Sequence, residues 1–301
     1  MFKQCCVLLL FLCPFQLSAG TAGFISYLEG DTYINRDQRL QSGAVISISE
    51  KESLKTDRNA SLMVSFRNGS QLILFENTSL DLNLASDNNR IDVHHGNIWF
   101  LIAKESPTFQ IQLSKVIVSS KQAALRCQLN RDTKKGFVRI DTGTAAITDR
   151  SASSHYSAGN AISFENDLID AVSSESEQVS IISNLSTYYL PKSGQIPVTL
   201  RASLPSELPS GKSVSAYLVS VSPNITVESP VVDFYQEEIE FKALALGAGK
   251  SLLYVVTAPI GTKTGFEGAI PITVAPMRDT KIMKIKTARG TIRVKLTPKQ
   301  E

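Results

Sequence analysis

The chain has few of the residues that usually cross-link a fold or build a reactive site. Its 301 residues include four cysteines, three histidines and one tryptophan. Cys5, Cys6 and Cys13 all lie near the start, so the chain beyond them keeps only Cys127 and cannot form a disulfide within itself. We interpret Cys127 as a small buried apolar residue. An ordinary hydrophobic core must then hold the protein together.

The chain also lacks the common signatures of catalysis. No Gly-rich phosphate loop opens a helix, and His155 lies in a serine-rich stretch without the Gly-x-Ser-x-Gly turn of a serine hydrolase. His94 and His95 are adjacent, and adjacent residues of a strand point to opposite faces, so they cannot bind one metal unless the strand bulges there. We interpret them as polar residues of a turn at Gly96. The sequence therefore predicts no enzyme, no metal site and no cofactor.

The first residues have the pattern of a secretory signal peptide. Lys3 precedes an apolar run at residues 7–13, and the small residues Ala19, Gly20 and Ala22 follow. A membrane anchor is the alternative, but a spanning helix needs roughly 20 apolar residues and this run is broken by the next residue, a proline. We predict a leader at residues 1–22 that is cleaved after Ala19 or Ala22, and a protein exported to the periplasm or the cell surface.

The rest of the chain alternates between apolar and polar residues with the period of two that is typical of β-strands. Gly, Asn, Asp and Ser interrupt the alternation about every 8 to 12 residues, as they do in an all-β sandwich or barrel. Helical periodicity is nearly absent. The sequence therefore predicts an all-β protein.

One predicted hairpin has an unusual second strand. An Asn-Gly turn follows Arg67 and joins two apolar runs, which is the strongest short-range hairpin signal. We expect Arg67 to pair with Ser70, and this register places Val64 on the same face as Ile73. Residues 72–75 are apolar on both faces. The strand is therefore predicted to be covered by other layers on both sides.

A change in composition divides the chain into two predicted domains. Residues 172–195 are rich in serine and end in a proline and a glycine, which is typical of an exposed linker. Residues 23–171 before it form one β domain in this interpretation. Residues 196–301 after it contain about seven predicted strands with prolines at strand ends, in keeping with an immunoglobulin-like sandwich.

The end of the chain is basic. Residues 190–301 hold 14 Lys and Arg against 9 Asp and Glu. In residues 281–299, apolar residues alternate with the candidate site residues Lys284, Lys286, Arg293 and Lys295. A hairpin with one solvated face explains this pattern, and the alternative is binding to an anionic membrane surface or a cell-wall polymer. The charge is not extreme, and we expect no nucleic-acid partner.

Five segments of the first predicted domain stand in a recognisable order. They read GFISYLEGDTYINRDQRLQSGAVIS, SLKTDRNASLMVSFRNGSQLILFENTSLDL, IDVHHGNIWFLI, GFVRIDTGTAAITD and YSAGNAI. In this order they resemble the FecR domain of bacterial envelope proteins, in which an Asp-Gly-Ser or Asn-Gly-Ser turn also separates two strands. The resemblance extends over residues 23–171. It departs from the family near residues 119–128, where the family usually carries a Gly-Thr and this chain reads SSKQAALRCQL.

The resemblance implies a double-layered β fold of jelly-roll type that is exported and has no known catalytic residues. FecR itself regulates a sigma factor from across the inner membrane through a cytoplasmic segment and a spanning helix. In this chain the resembling region follows the predicted leader directly. We therefore do not expect that route of signalling here.

We accordingly expect a non-catalytic envelope protein that binds or scaffolds an unidentified envelope protein or polysaccharide. The alternative is a carbohydrate-active or peptidoglycan-processing enzyme, which would need two loop carboxylates about 5 to 10 Å apart across a groove. Trp99 is expected in the core. If it instead faced solvent with Tyr33 or Tyr156, it could stack on a sugar ring.

Overall fold

The described part of the chain is all-β, as the sequence predicts. In this computed structural model it comprises residues 21–296 except 36, 42–45, 86–87, 105, 175–177, 192–193, 206–207, 209–212, 236–237, 261–264, 277–280 and 288–289. Only the backbone is described for residues 85, 88, 281–287 and 290–296. Within these ranges the chain forms 27 strands and no helix.

The strands fall into three groups along the chain. The first group is β1 (Thr21–Glu29), β2 (Thr32–Ile34), β3 (Gln38–Arg39), β4 (Ser47–Ser49), β5 (Lys51–Thr56), β6 (Ser61–Phe66), β7 (Gln71–Leu74), β8 (Thr78–Ala85), β9 (Asn88–Ile102), β10 (Phe109–Leu113), β11 (Val116–Ser120), β12 (Ala123–Leu129), β13 (Lys135–Thr148), β14 (Ser153–Ser157), β15 (Asn160–Glu165) and β16 (Leu168–Ser174). The second group is β17 (Ser180–Ser183), β18 (Thr187–Leu190), β19 (Ile196–Ser203), β20 (Val214–Ser220), β21 (Ile225–Val227), β22 (Val231–Phe234), β23 (Glu238–Ala245), β24 (Gly249–Thr257) and β25 (Glu267–Pro276). The third is β26 (Lys281–Thr287) and β27 (Gly290–Leu296).

Strands β1–β16 form two stacked layers, which we call the first sheet pair. Sheet A has the order β4-β1-β6-β7-β9-β12-β13-β15-β16. Sheet B has the order β3-β2-β5-β8-β9-β10-β11-β13-β14. The long strands β9 and β13 belong to both sheets because each crosses from one layer to the other. This arrangement confirms the predicted double-layered fold.

Glycines occupy the positions where the two long strands change sheets. Gly96 in β9 has φ +106 and Gly143 in β13 has φ +80, which are backbone conformations that other residues rarely adopt. A side chain at Gly96 would collide with Thr78, and one at Gly143 with the carbonyl of Gln122. The bend of each strand therefore depends on the absence of a side chain.

The apolar strand β7 is covered on both faces, as predicted. Leu72 and Leu74 are fully buried in the core between sheets A and B. Ile73 and the neighbouring Phe75 are buried on the opposite face of sheet A, against the second group of strands. The second face is thus covered by a part of the chain more than a hundred residues away.

The register predicted for the β6–β7 hairpin was wrong by one residue. Ser70 accepts a hydrogen bond from the backbone N–H of Phe66 at 2.9 Å, so the loop has three residues rather than two. Gly69 alone takes positive φ, at +82, and the Asn68 side chain accepts from the Ser70 N–H at 3.0 Å. This three-residue loop places Val64 opposite Leu72 instead of Ile73. The face of every residue in the second strand changes accordingly.

Strands β17–β25 form a second pair of layers, which we call the second sheet pair. Its sheets have the orders β17-β19-β23-β21 and β18-β25-β24-β20-β22, and together they form the expected immunoglobulin-like sandwich around a core that includes Phe234 and Phe241. Residues 172–195, predicted as a linker, contain β17 and β18, which pair with β19 and β25. The proposed domain bounds stay a prediction.

The third group is the predicted basic hairpin, a two-stranded antiparallel ribbon. Its register pairs Lys284 with Arg293 and Ile282 with Lys295. Because residues two apart share a face of a strand, the four predicted site residues occupy one face of the ribbon. They are Lys284, Lys286, Arg293 and Lys295.

The predicted leader at residues 1–22 lies almost entirely outside the described residues. Strand β1 begins at Thr21, and the carbonyl of Ala22 accepts a hydrogen bond from the Arg67 N–H at 3.0 Å. In the described ranges, no helix has the length and apolar character needed to cross a bilayer.

Candidate functional site

An apolar contact surface connects the outer face of sheet A to the second sheet pair, and we call it the joint. Its buried side chains are Met63, Ile73, Phe75, Trp99, Leu101 and Ala124 from sheet A, and Tyr217, Val219, Tyr254 and Val256 from the second sheet pair. The rings of Phe75 and Tyr217 meet edge to face at 5.6 Å, and those of Trp99 and Tyr254 lie 5.7 Å apart. The joint is therefore packed like a core.

Polar groups also cross the joint. The indole Nε1 of Trp99 donates to Oε2 of Glu267 at 2.6 Å. Arg126 donates to the carbonyl of Thr257 at 2.9 Å, and Arg139 donates to the carbonyl of Gly265 at 3.0 Å. Each bond joins sheet A to the second sheet pair across at least 126 residues of sequence. Burial makes their loss costly, because the groups left behind would have no water to replace the missing partner.

Two carboxyl groups meet at the edge of the joint. Asp141 accepts a hydrogen bond from Nε of Arg139 at 2.5 Å, and its other oxygen is buried without a donor unless Glu267 carries a proton. The pKa of Glu267 lies well above its usual range, first because the group is buried and then because Asp141 is adjacent, with Arg126 acting in the opposite direction. Protonated Glu267 therefore donates to Asp141 while it accepts from Trp99.

The chemistry of this cluster is that of a structural contact. A small cleft of about 250 Å³ lies beside it, lined in part by Arg139, Asp141 and Glu267. Asp141 and Glu267 are within hydrogen-bonding reach of each other. Glycosidases hold their two carboxyls about 5 Å or more apart to leave room for the sugar or a water. This pair leaves no such room.

A groove of about 770 Å³ opens elsewhere on the first sheet pair, where sheet B meets the loop between β12 and β13. We call it the histidine groove. Strand β5 contributes Lys55, β8 contributes Asp81, and β9 contributes His94 and His95. The loop contributes Asn130, Arg131 and Lys134. The groove is thus lined by side chains from β5, β8 and β9, from the β10–β11 turn and from the β12–β13 hairpin tip.

A β-bulge brings both histidines to the groove. Ser79 lies opposite His95 and Leu80 lies opposite Val93, so His94 is the extra residue in β9. The predicted turn at this position was wrong, because His94 and His95 lie in the middle of the 15-residue strand β9. The sequence analysis predicts that the two histidines could face one site only if the strand bulges there, and the bulge is present.

The two histidines differ in their hydrogen bonding within the groove. His94 Nε2 lies 2.9 Å from Oδ2 of Asp81, and Asp81 also accepts from Ser53 Oγ at 2.6 Å. His95 Nδ1 is buried and has no hydrogen-bond partner among the described residues. Across the described part of the chain, no three His, Cys, Asp or Glu side chains gather as a metal site would require.

The groove is electropositive. The pKa of His95 is lowered by burial first, and then by the charges of Arg131, His94 and Lys55, with Asp132 acting weakly in the opposite direction. Arg131 and Lys134 are exposed, and neither makes an ion pair with another described residue. Lys55 is held by Asp57, with Nζ and Oδ1 2.7 Å apart.

A second concavity continues the groove. It has a volume of about 460 Å³ and shares His95, Asn130 and Arg131 with the histidine groove. It ends at Pro259, which belongs to the second sheet pair. The two concavities together form an extended trough that passes Arg131.

The residues singled out by the sequence are widely separated in the structure. Trp99 is fully buried in the joint, so it is not exposed for sugar stacking. His155 is exposed on β14. Cys127 is fully buried, as predicted, and burial raises the pKa of its thiol. The four basic residues of the ribbon have described backbones only, so the anionic-surface hypothesis stays a prediction.

Sequence reasoning missed the charged residues of the joint. Arg126 and Arg139 both lie within apolar strands, in the stretches AALRCQL and GFVRID. A charge in such a position is costly unless it finds a partner, so it signals a buried contact. Nothing local in the sequence names that partner, since the acceptors lie on β24 and in the segment before β25.

Comparison with known proteins supports the family resemblance. Residues 52–138 match the model of the FecR family, described as FecR protein. No curated protein has a sequence similar enough to count as a relative.

Two of the similar solved structures are crystal structures from Parabacteroides distasonis ATCC 8503, each titled as a "putative anti-sigma factor". They are 14% and 15% identical to this chain, with a TM-score of 0.38 for each. Each alignment covers 41% of this chain and 59% of the other. The matched residues 52–138 run from β5 into β13. Residues 52–138 therefore match a FecR domain, and they lie within the first sheet pair.

Proposed function

We propose that the protein is a non-catalytic component of the bacterial cell envelope that acts by binding or scaffolding through its FecR domain. The observation that carries the proposal is the joint. The buried side chains of Arg126 and Glu267 are used there to connect two sheet pairs. The partner is an envelope protein or a polysaccharide.

The competing proposal is a carbohydrate-active or peptidoglycan-processing enzyme. It is disfavoured because Asp141 and Glu267 hydrogen-bond to each other inside the joint. Incubating the purified protein with peptidoglycan and with acidic and neutral polysaccharides should release no soluble fragments. Release that disappears in Glu267→Gln would establish the enzyme and overturn the proposal.

Crosslinking in intact cells, followed by fractionation, tests the binding role directly. We expect the protein in the envelope fraction, crosslinked to a defined partner. A protein found only in the cytosol would contradict the proposal.

The basic ribbon is a second proposed contact, with an anionic membrane surface or cell-wall polymer. It is supported by the backbone register, which puts four basic residues on one ribbon face. Neutralising Lys284, Lys286, Arg293 and Lys295 together should release the protein from envelope fractions in a salt-dependent manner. Unchanged retention would exclude this contact.

Export through a cleaved leader is part of the proposal, and we place the cleavage after Ala19. Removal of residues through Ala22 would delete the start of β1 and the carbonyl that accepts from Arg67. Mass spectrometry of the protein purified from the envelope should therefore find Gly20 at the N-terminus. A protein that begins at Gly23 would contradict this assignment.

A further inference from the structure

We propose that the trough formed by the histidine groove and its continuation binds an acidic glycan, with Arg131 and Lys134 contacting the carboxylates of the sugar chain. This inference rests on the proposed binding function and specifies its ligand. It is carried by the charge, the lining and the shape of the trough.

The first observation is an excess of uncommitted positive charge at the wide end of the trough. Arg131 and Lys134 project from the β12–β13 hairpin tip, and no described residue forms an ion pair with either. The acid in the same lining, Asp81, is already bonded to Ser53 and His94. An arriving carboxylate would therefore meet cations that have no competing internal partner.

The hairpin tip is held in a defined conformation. The side chain of Asn130 accepts from the backbone N–H groups of Asp132 and Thr133 at 3.0 and 3.1 Å. Lys134 adopts positive φ, at +50, so the chain turns sharply before β13. The cations are thus presented by a preorganised turn, which reduces the entropy lost on binding.

The second observation is the chemistry of the remaining lining. Ser53, Ser79 and Ser114 line the wide end, and Asn77, Asn97 and Gln128 line the continuation. Hydroxyl and amide groups both donate and accept hydrogen bonds, as sugar hydroxyls require. The apolar residues of the lining belong largely to the core: Leu54 is fully buried and Val93 is 3% exposed. A peptide site would need open apolar pockets for side chains, so the lining favours a glycan over an acidic peptide.

The third observation is the length of the trough. The concavities of about 770 and 460 Å³ meet at His95 and Arg131. A single small anion would fill only one of them, whereas a chain of sugars can extend from Lys134 past Arg131 toward Pro259. The shape therefore fits a linear ligand.

His95 provides a readout for the bound charge. Its neighbours Arg131, His94 and Lys55 favour the neutral imidazole, and Asp132 opposes them. The continuation also contains the carboxylate of Glu76, which accepts from the Asn59 N–H at 3.0 Å. A glycan carboxylate bound beside Arg131 would offset the positive field and raise the pKa of His95. By linkage, binding should then tighten as the pH falls through the titration of His95.

The experiment titrates the purified protein with a short oligomer of galacturonic acid by calorimetry. The methyl ester of the same oligomer is the neutral control, and oligoglutamate is the acidic-peptide control. We expect binding of the acid oligomer that weakens at least about tenfold in Arg131→Gln/Lys134→Gln, because charge-assisted hydrogen bonds are lost. Lys121→Gln/Lys250→Gln removes the same charge elsewhere and should bind like the unmodified protein.

A second measurement excludes a nonspecific charge effect. NMR titration should show that the oligomer raises the pKa of His95, with the His95 signals assigned by their absence in His95→Gln. Equal binding of the ester, stronger binding of oligoglutamate, or an unchanged affinity in Arg131→Gln/Lys134→Gln would each overturn the inference. The proposed function fails separately, if the oligomer is cleaved during the titration. If crosslinking captures a partner and no glycan binds, the proposed function stands and the glycan inference is overturned.

Discussion

The two halves of strand β9 carry ring N–H groups in different surroundings, one half buried in the joint and the other open to the histidine groove. Beyond Gly96, Trp99 is buried in the joint and its indole N–H is bonded to Glu267. Before Gly96, His94 and His95 lie on an open groove, and one ring nitrogen of His95 has no partner in the described part of the chain. The half beyond Gly96 helps to hold the molecule together, because Trp99 packs and hydrogen-bonds across the joint. The half before Gly96 leaves a polar contact to be completed, which is what a binding surface requires.

The largest effect is expected from removing the tryptophan of the joint. Trp99→Ala should lower the free energy of unfolding by about 3–5 kcal/mol, because it leaves a cavity and unpairs Glu267. Urea denaturation followed by circular dichroism measures the loss. Tyr235→Ala is the matched aromatic control, since Tyr235 is 74% exposed, and it should cost less than about 0.5 kcal/mol. Similar losses in the two variants would mean that the joint contributes little.

The bend that separates the two halves is the next most sensitive point. Gly96→Ala should destabilise the fold by about 3 kcal/mol, because it adds a collision with Thr78 to the strain of positive φ. Gly159→Ala is the control for strain alone: Gly159 has φ +86 and no heavy atom within 4 Å of an added side chain. It should cost about 1 kcal/mol. Equal losses of unfolding free energy in the two variants would show that Thr78 moves away from the added methyl group without destabilising the fold.

The joint should also respond to pH through Glu267. The folded-state pKa of Glu267 is raised, so the unfolded chain releases this proton first as the pH rises. The stabilisation is then complete below the usual value of 4.5 and is lost as the pH rises toward the raised pKa. Glu267→Gln keeps a donor for Asp141 at every pH and should lack this decline.

The pH test compares two curves, because other titrating groups are common to both proteins. The difference in unfolding free energy between Glu267→Gln and the unmodified protein should increase with pH in favour of the variant. Curves that run parallel from pH 4 to 9 would contradict a proton between Glu267 and Asp141.

The smallest effect is expected in the groove. His94 and Asp81 are each about half exposed, with side-chain accessibilities of 48% and 47%, and such pairs contribute about 0–1 kcal/mol. His94→Ala should change the free energy of unfolding by less than about 0.5 kcal/mol. A loss comparable to that of Trp99→Ala would show that the groove is part of the folding core.

Local patterns predicted the strands but not what lies against them. Residues 72–75 are apolar at every position, and this alone required cover on both faces. The residues that supply the outer cover, such as Tyr217 and Tyr254, lie far away in sequence, and alternation carries no information on which sheet meets which. The family resemblance identified the first fold, while the joint depends on long-range contacts that only the tertiary structure specifies.

The errors of the sequence interpretation also have physical causes. An Asn-Gly pair fits a two-residue turn when both residues take positive φ, but here Asn68 uses its side chain to accept from Ser70 and Gly69 alone takes positive φ. The histidines were placed in a turn because Gly96 follows them, whereas this glycine bends a continuous strand. The groove around Arg131 and Lys134 could not be predicted, because it is assembled from strands and loops that are distant in sequence.

Cys127 gives the molecule a built-in reporter. Its thiol is fully buried in the middle of sheet A, between β9 and β13, and burial raises the thiol pKa so that almost no thiolate forms in the native state. A thiol reagent can therefore react only when these strands separate. The rate of labelling would therefore report how often these strands separate, and no dye or additional cysteine has to be introduced.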